Sequence, residues 1–568
     1  MKAIMSAITL FAALPLAAVQ CKNPILHADF SDPDVCVGHD GKCYMTASSF
    51  GGLPGLPILV SDDIVNWQYA GHALERHPFH GEWSRGNPEH GNAVWAPSIR
   101  YRSDKKEYVI YWGDPDRGIY RVSASSPKGP WGEPRLVVPG RGLIDPCPLY
   151  DDDGRIYLVN GWAQSRSGMN SALTVRELDA EETHAISDPV MVYDGLKDWN
   201  FTAEGPKFYR KDGEYWLFFP AGGVEHGWQV AARAKSPYGP YEAKTVLAQG
   251  KTGINGPHQG AVVKLGVKSC ELGVVEERWW FVHFRDKGAY GRIVYLEPME
   301  WPKGGWPTIG NGGEPVATVD VPGAAEQKPF GGIQTSDAFD GVKPGLQWQF
   351  LGKSDDLKAW CTPYGFFRLY STPYVLHGKS GSLFSISGAS RNLWHTPNLM
   401  VQKFPAESFT ATLKAQVGAK EDGEEAGLVV FGRSYARIGL RFREEAKAFE
   451  IVYVECRDAD KGNDEERPVV LGKIPAKAIA AGIRSANVAD VLLRVSVSPG
   501  KRADGSVAPM CAFAWSADGV VWNDAKRVFE AAPGKWIGAT FGIYAVCEPQ
   551  TKDLGWIDAD FMRVEMKL

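Results

Sequence analysis

Five segments in the first three hundred or so residues start alike: a small polar or aromatic signal with Pro or Gly, a hydrophobic stretch, a turn rich in Asp and Gly, and an aromatic strand. The units begin at Asp32, Trp95, Asp145, Glu204 and His258, a spacing of about 50–60 residues that fits one four-stranded blade with generous loops. Representative copies run from Asp145-Pro146 to Arg155-Ile156-Tyr157-Leu158 and from Glu204-Gly205-Pro206 to Glu214-Tyr215-Trp216-Leu217. Five such units predict a five-bladed β-propeller. In that geometry equivalent positions at the start of each innermost strand ring the central axis, so Asp32, Asp145 and Glu204 meet Trp95 and His258 in one pocket.

The chain has 568 residues, and single cores stop growing at roughly 250–300, so two domains are expected. Aromatics at 12%, 63 Gly and 38 Pro, without a long helical period, indicate an all-β protein of short strands and turns. From about Ser336 a second pattern begins, with strands such as Phe409–Leu413, Gly427–Phe431 and Val491–Val497, and it reads as a β-sandwich of the jelly-roll, concanavalin-like kind. The expected division is a signal peptide over 1–21, a propeller over 22–310, a linker over 311–335 and a sandwich over 336–568. One short helix is expected between Pro475 and Ala489.

Met1-Lys2 followed by the apolar run Ala3 to Ala18 is built like a secretory leader and is too short for a membrane span. The mature protein is therefore expected to be secreted or periplasmic, with lipid anchoring at Cys21 as a second possibility. A formal charge of −5 over this length leaves no basic footprint for nucleic acid. The nine cysteines show no zinc spacing. Cys36 and Cys43 flank a Gly-His-Asp-Gly turn, which leaves two readings open: a disulfide across a hairpin, or two small buried thiols.

Two carboxyl groups on either side of a glycosidic bond suffice for its hydrolysis, one protonating the departing oxygen and the other activating water or attacking. A third carboxylate nearby keeps the acid protonated, because like charges disfavour ionisation. Phe50 and Trp95 offer apolar faces to a sugar, and Arg292 offers hydrogen bonds. Each residue also has a plainer reading: Asp-Pro starts turns, His258 suits a core, and Arg292 suits a surface strand. Glu204 is the hardest to explain without a task, since a carboxylate entering a buried strand is costly.

At these motifs the chain resembles glycoside hydrolase family 43, in the branch of β-xylosidases and α-L-arabinofuranosidases with a C-terminal sandwich. The motifs are Ser31-Asp32-Pro33-Asp34, Val94-Trp95-Ala96-Pro97, Ile144-Asp145-Pro146, Ala203-Glu204-Gly205-Pro206 and Gly256-Pro257-His258-Gln259-Gly260. The resemblance implies an inverting exo-glycosidase with Asp32 as general base, Glu204 as general acid and Asp145 raising and orienting the acid. Inversion places base and acid roughly 6.5–9.5 Å apart. It further implies substrate contacts from Phe50, Trp95, Ile144 and Arg292, with Ile144 standing where some relatives have Phe. No cofactor is needed for the chemistry, and a structural Ca²⁺ in the propeller channel is expected at His258. A loop of the sandwich is expected to close one side of the pocket, with Tyr544 to Pro549 as its candidate. The expected partner is an oligosaccharide of the arabinoxylan or xylo-oligosaccharide type. The competing readings are a non-catalytic carbohydrate-binding protein and an endo-arabinanase or xylanase on the same fold.

Overall fold

A computed structural model describes residues 18–79, 88–268, 275–351, 360–361, 365–374, 377–378, 389–396, 399–481 and 484–566. Most of the expected leader lies outside the described residues. Residues 18–21, its end, form with Lys22 a strand (Ala18–Lys22) paired antiparallel to Thr318–Pro322, with Cys21 buried opposite Val319.

Five antiparallel four-stranded sheets follow in sequence order, with innermost strands Asp34–Val37, Trp95–Arg102, Leu143–Tyr150, Lys207–Lys211 and Gly260–Lys268. These short strands bury both faces because each blade packs between two others. Tyr44, Ile58, Ile99 and Tyr108 join blades 1 and 2, and Val109, Tyr111, Ile156 and Leu158 join blades 2 and 3. Val159, Phe208 and Leu217 join blades 3 and 4, and Trp216, Phe218 and Phe281 join blades 4 and 5. Val35, Met45, Val263 and Val282 close the ring between blades 5 and 1. Asn23 reinforces that closure: its amide donates to Leu296 O at 2.8 Å and Val316 O at 2.9 Å and accepts from Leu296 N–H at 2.9 Å.

A buried carboxylate clasps blades 2 and 3. Glu182, on a loop of blade 3, accepts from Tyr111 OH at 2.6 Å, Arg121 Nε at 2.8 Å and Tyr150 OH at 3.0 Å, and pairs with Arg102. Burial alone would raise its pKa, but Arg121, Tyr111 and Arg102 outweigh it and hold the group below the ordinary carboxyl range.

The C-terminal domain is two packed sheets whose facing sides bury Leu413, Ile438, Ile451, Leu493, Phe513, Ile543 and Ile557. Several sequence expectations are corrected here. Residues 477–481 and 484–501 are paired strands, not a helix, because the segment continues the edge of the sheet with Lys477 opposite Val488. Of the two readings left open for Cys36 and Cys43, buried thiols hold: Cys36 faces Tyr44 and Cys43 faces Val37 across one hairpin, so the two side chains point apart. Trp301 packs within the propeller, as expected of a residue before 310, buried edge-on to Trp216 with ring centroids 5.1 Å apart. Tyr544 to Cys547 lies within the central strand Thr540–Cys547, with Tyr544 wholly buried, and closes no pocket.

The domains share a sheet. Gly52–Leu53, from the propeller, pairs with Gln349–Leu351 at the edge of the sandwich. Asp29 adds a polar tie, accepting Gly538 N–H from the sandwich at 2.7 Å on one carboxyl oxygen, and Ser31 OH at 2.9 Å and Arg292 N–H at 3.2 Å on the other.

Candidate active site

A cavity of about 540 Å³ opens at the hub, lined by Asp32, Phe50, Trp95, Ala96, Ile144, Asp145, Glu204, Val224, His258, Gln259, Arg292 and Trp536. Every site residue named from the sequence lies on this wall. A second cavity behind Phe50 runs along the domain seam away from Asp145 and Glu204.

Strand register explains how the residues converge and corrects their equivalence. Trp95 pairs with Gly113 and Ile144 with Gly161, each followed by a bulge that restores the ladder three residues later, at Ser98 and Cys147. Ser31 O accepts from Ser48 N–H and Glu204 N–H donates to Pro220 O, which places these two residues in the same row as Trp95 and Ile144, whereas His258 N–H donates to Phe284 O in a blade that keeps a different offset. Asp32 and Asp145 occupy the next row, one residue on, with Ala96 and Gly205. Glu204 is therefore one residue out of step with the two aspartates. All four members of that second row precede proline and have positive φ: 56° at Asp32, 24° at Ala96, 55° at Asp145 and 58° at Gly205. Two adjacent positions per blade thus feed the hub, and the left-handed step turns the aspartate side chains into it.

The three carboxylates have different surroundings. Asp32 Oδ2 accepts the Ser48 hydroxyl at 2.6 Å, and that hydroxyl accepts Ala96 N–H at 2.7 Å, while Asp32 Oδ1 lies 3.6 Å from Arg292 Nη1. Asp145 Oδ2 accepts Gly205 N–H at 2.8 Å. Gly205 is required at that point, because a Cβ there would run into the side chain of Gln259. The Glu204 side chain accepts no hydrogen bond among the described residues and is 35% exposed, facing the cavity at its base. Burial, then the charge of Asp32, pushes Glu204 up to about 7 against the pull of Arg292. Burial, then the charges of Glu204 and Asp32, pushes Asp145 well above the ordinary range. Packed together, the two titrate as one unit that keeps a proton at higher pH than an isolated carboxyl.

Arg292 is buried in the pocket wall and not on the surface. His258 is also buried, with its Nε2 3.5 Å from Glu204 Oε1 and neither ring nitrogen hydrogen-bonded. Beneath the pocket, Lys207 Nζ donates to Pro97 O at 2.9 Å and Ser98 Oγ at 3.0 Å, and Asp34 accepts Ile99 N–H at 2.7 Å and Arg100 at 2.6 Å. These groups from three blades fill the axis below the carboxylates.

The sequence reading missed Ser48 and Trp536. Ser48 carries no motif. Trp536 belongs to a sandwich loop that reaches over the propeller, where its ring meets Trp95 edge-on at 6.0 Å. This loop, anchored by Gly538 on Asp29 and by Ala539 N–H on Ala289 O at 2.7 Å, forms the pocket side that was assigned to residues 544–549. Trp536→Ala is expected to lower kcat/KM by about three- to tenfold, the worth of one aromatic contact, with most of the loss in KM. Steady-state kinetics on a small aryl glycoside measures it, and an unchanged KM would take Trp536 out of the binding wall.

A five-bladed propeller with three carboxylates gathered at its hub beside aromatic walls defines a glycoside hydrolase. Residues 21–307 match the glycosyl hydrolases family 43, and residues 336–565 match the beta xylosidase C-terminal concanavalin A-like domain. The chain belongs to glycosyl hydrolases family 43. It is 35% identical over 417 residues to a putative beta-xylosidase of Xylanibacter ruminicola, covering 72% of this chain and 71% of that one. It is 30% identical over 438 residues to a non-reducing end alpha-L-arabinofuranosidase of Bacteroides ovatus, covering 74% and 75%. The fold of a xylan beta-1,4-xylosidase from Bacillus halodurans C-125 superposes with a TM-score of 0.74 at 21% identity, covering 96% of this chain and 99% of that chain.

Proposed function

We propose that the protein is an inverting exo-glycosidase that releases terminal β-D-xylose or α-L-arabinofuranose from plant cell-wall oligosaccharides. The observation that carries this reading is the contrast among the three hub carboxylates. Asp145 accepts a backbone N–H, which favours its ionised form, whereas Glu204 accepts nothing and faces the cavity. Glu204, pushed up to about 7 by burial and then by the charge of Asp32, is positioned to give its proton to a departing glycosidic oxygen. Asp32, oriented by Ser48, holds its second oxygen beside Arg292 at the pocket and draws a proton from the attacking water. That water enters at the anomeric carbon from the face opposite Glu204, so the product is inverted and no sugar–enzyme bond forms. The Trp536 wall supports action at chain ends over an open groove, and the relatives' names support pentose substrates.

The experiment is to incubate the protein with defined xylo- and arabino-oligosaccharides and follow the products by NMR. Release of single terminal pentoses with inverted anomeric configuration is expected. Internal cleavage, retention, or binding without hydrolysis would each overturn the assignment.

A Ca²⁺ beneath the carboxylates belongs to the same proposal. The residues fit it sparingly. His258 is buried with no hydrogen bond to either ring nitrogen, and burial, Arg292 and His283 hold it neutral, so it has a lone pair to offer. No cluster of three acidic, His or Cys side chains that could hold a metal occurs among the described residues. His258 would hold the ion with waters as the remaining ligands, a weak site by calcium standards, and the ion would supply fixed positive charge near the acids. Dialysis against a chelator is expected to weaken turnover and added Ca²⁺ to restore it. Undiminished turnover in a preparation shown by elemental analysis to be free of divalent ions removes the ion from the proposal.

A further inference from the structure

The loop that delivers Glu204 carries three large apolar side chains in solvent: Leu196, Trp199 and Phe201 are 53%, 75% and 44% exposed. Single exposed apolar residues are ordinary, but three within six residues beside a binding pocket form a patch that calls for a ligand. Trp199 and Phe201 stand edge to face with centroids 5.6 Å apart.

The patch is rigid and strained. Trp199 has φ 59° and Thr202 φ 56°, a region that bulky residues rarely occupy. The loop is tied on both sides. Thr202 N–H donates to Ser171 Oγ at 2.8 Å, Asn200 N–H to Gly195 O at 2.8 Å, and Gly222 N–H to Phe201 O at 2.7 Å. The Asn200 side chain accepts Trp228 Nε1–H at 2.9 Å and donates to Tyr193 OH at 2.6 Å. Such backbone strain persists only where surrounding contacts over-determine it, and it gathers at functional positions. Here it holds an indole ring out into water.

The patch lies on the side of the pocket that matters. Phe201 precedes Glu204 by three residues, and its carbonyl is bonded to Gly222, two residues before the pocket-lining Val224. A general acid protonates the oxygen of the leaving group, so the rest of the oligosaccharide must extend past Glu204. We propose that Trp199, backed by Phe201, is a stacking platform for sugar rings of the leaving group, so that chains are favoured over single-sugar glycosides. The proposal rests on the functional reading above. An aromatic face suits a pyranose ring, whose C–H side is apolar while its hydroxyls stay in water.

The test compares Trp199→Ala with the parent on an aryl pentoside and on xylo-oligosaccharides of two to four sugars. Loss of one aromatic contact should lower the ratio of kcat/KM on the four-sugar substrate to that on the aryl glycoside by about three- to tenfold. Trp199→Phe should restore most of it. The ring is largely in solvent, so its truncation opens no core cavity, and thermal melting checks that the fold is intact. An unchanged ratio overturns the platform alone. A parent protein that cleaves neither substrate overturns the functional reading and the platform with it.

Discussion

Glu204→Gln is expected to slow hydrolysis of an unactivated oligosaccharide by about 10²–10⁴-fold, the usual worth of a positioned acid. On an aryl glycoside with a good leaving group the loss should be much smaller, because that oxygen departs without a proton. Asp32→Asn should lose comparably on both substrates, since each needs its water activated. Initial rates on the two substrate types separate the roles, and equal losses in Glu204→Gln, or retained activity in either variant, would refute the assignment. The pH dependence follows from the same chemistry. Glu204 is raised to about 7 by burial and then by Asp32, and it must carry its proton to act. Activity is therefore present below about 7 and lost as pH rises through that value. In Glu204→Gln this alkaline limb should vanish from the profile on the aryl substrate.

Glu182→Ala should cost about 1–3 kcal/mol of propeller stability, the typical cost of leaving a buried donor without its acceptor. Arg102 would keep Asp104 and Arg121 would keep Glu107 as partners, but Tyr111 and Tyr150 would lose their acceptor. Denaturant melts followed by tryptophan fluorescence measure the change, and a shift below about 1 kcal/mol, the level of an exposed ion pair, would show the clasp to be dispensable. Because Glu182 is depressed in the folded state, its contribution is present above the ordinary Glu range. It is lost as pH falls through the lowered native value.

Most of the propeller was legible because a repeat constrains a fold through spacing alone. The aspartates could be placed because each opens a unit of the repeat, so register alone carries them to the hub. The relation of Glu204 to them was read one residue out, since Glu-Gly-Pro and Asp-Pro look alike in sequence. Only the bulge after Ile144, and its counterpart after Trp95, set the true rows. Ser48 was invisible because its task depends on Ala96, 48 residues away, coming within hydrogen-bond reach. Trp536 was missed for a related reason: a residue of another domain cannot keep register with the repeat. The choice between the two readings of Cys36 and Cys43 turned on the two-residue alternation of strands, which a spacing in sequence does not reveal without the hairpin register.

The strand at Gly52–Leu53, which begins two residues after the pocket wall at Phe50, completes a sheet that belongs to the sandwich. Trp536, from the sandwich, stands in the pocket wall across this seam, so exchanging the C-terminal module would reshape the pocket while every residue of the propeller stays as it is.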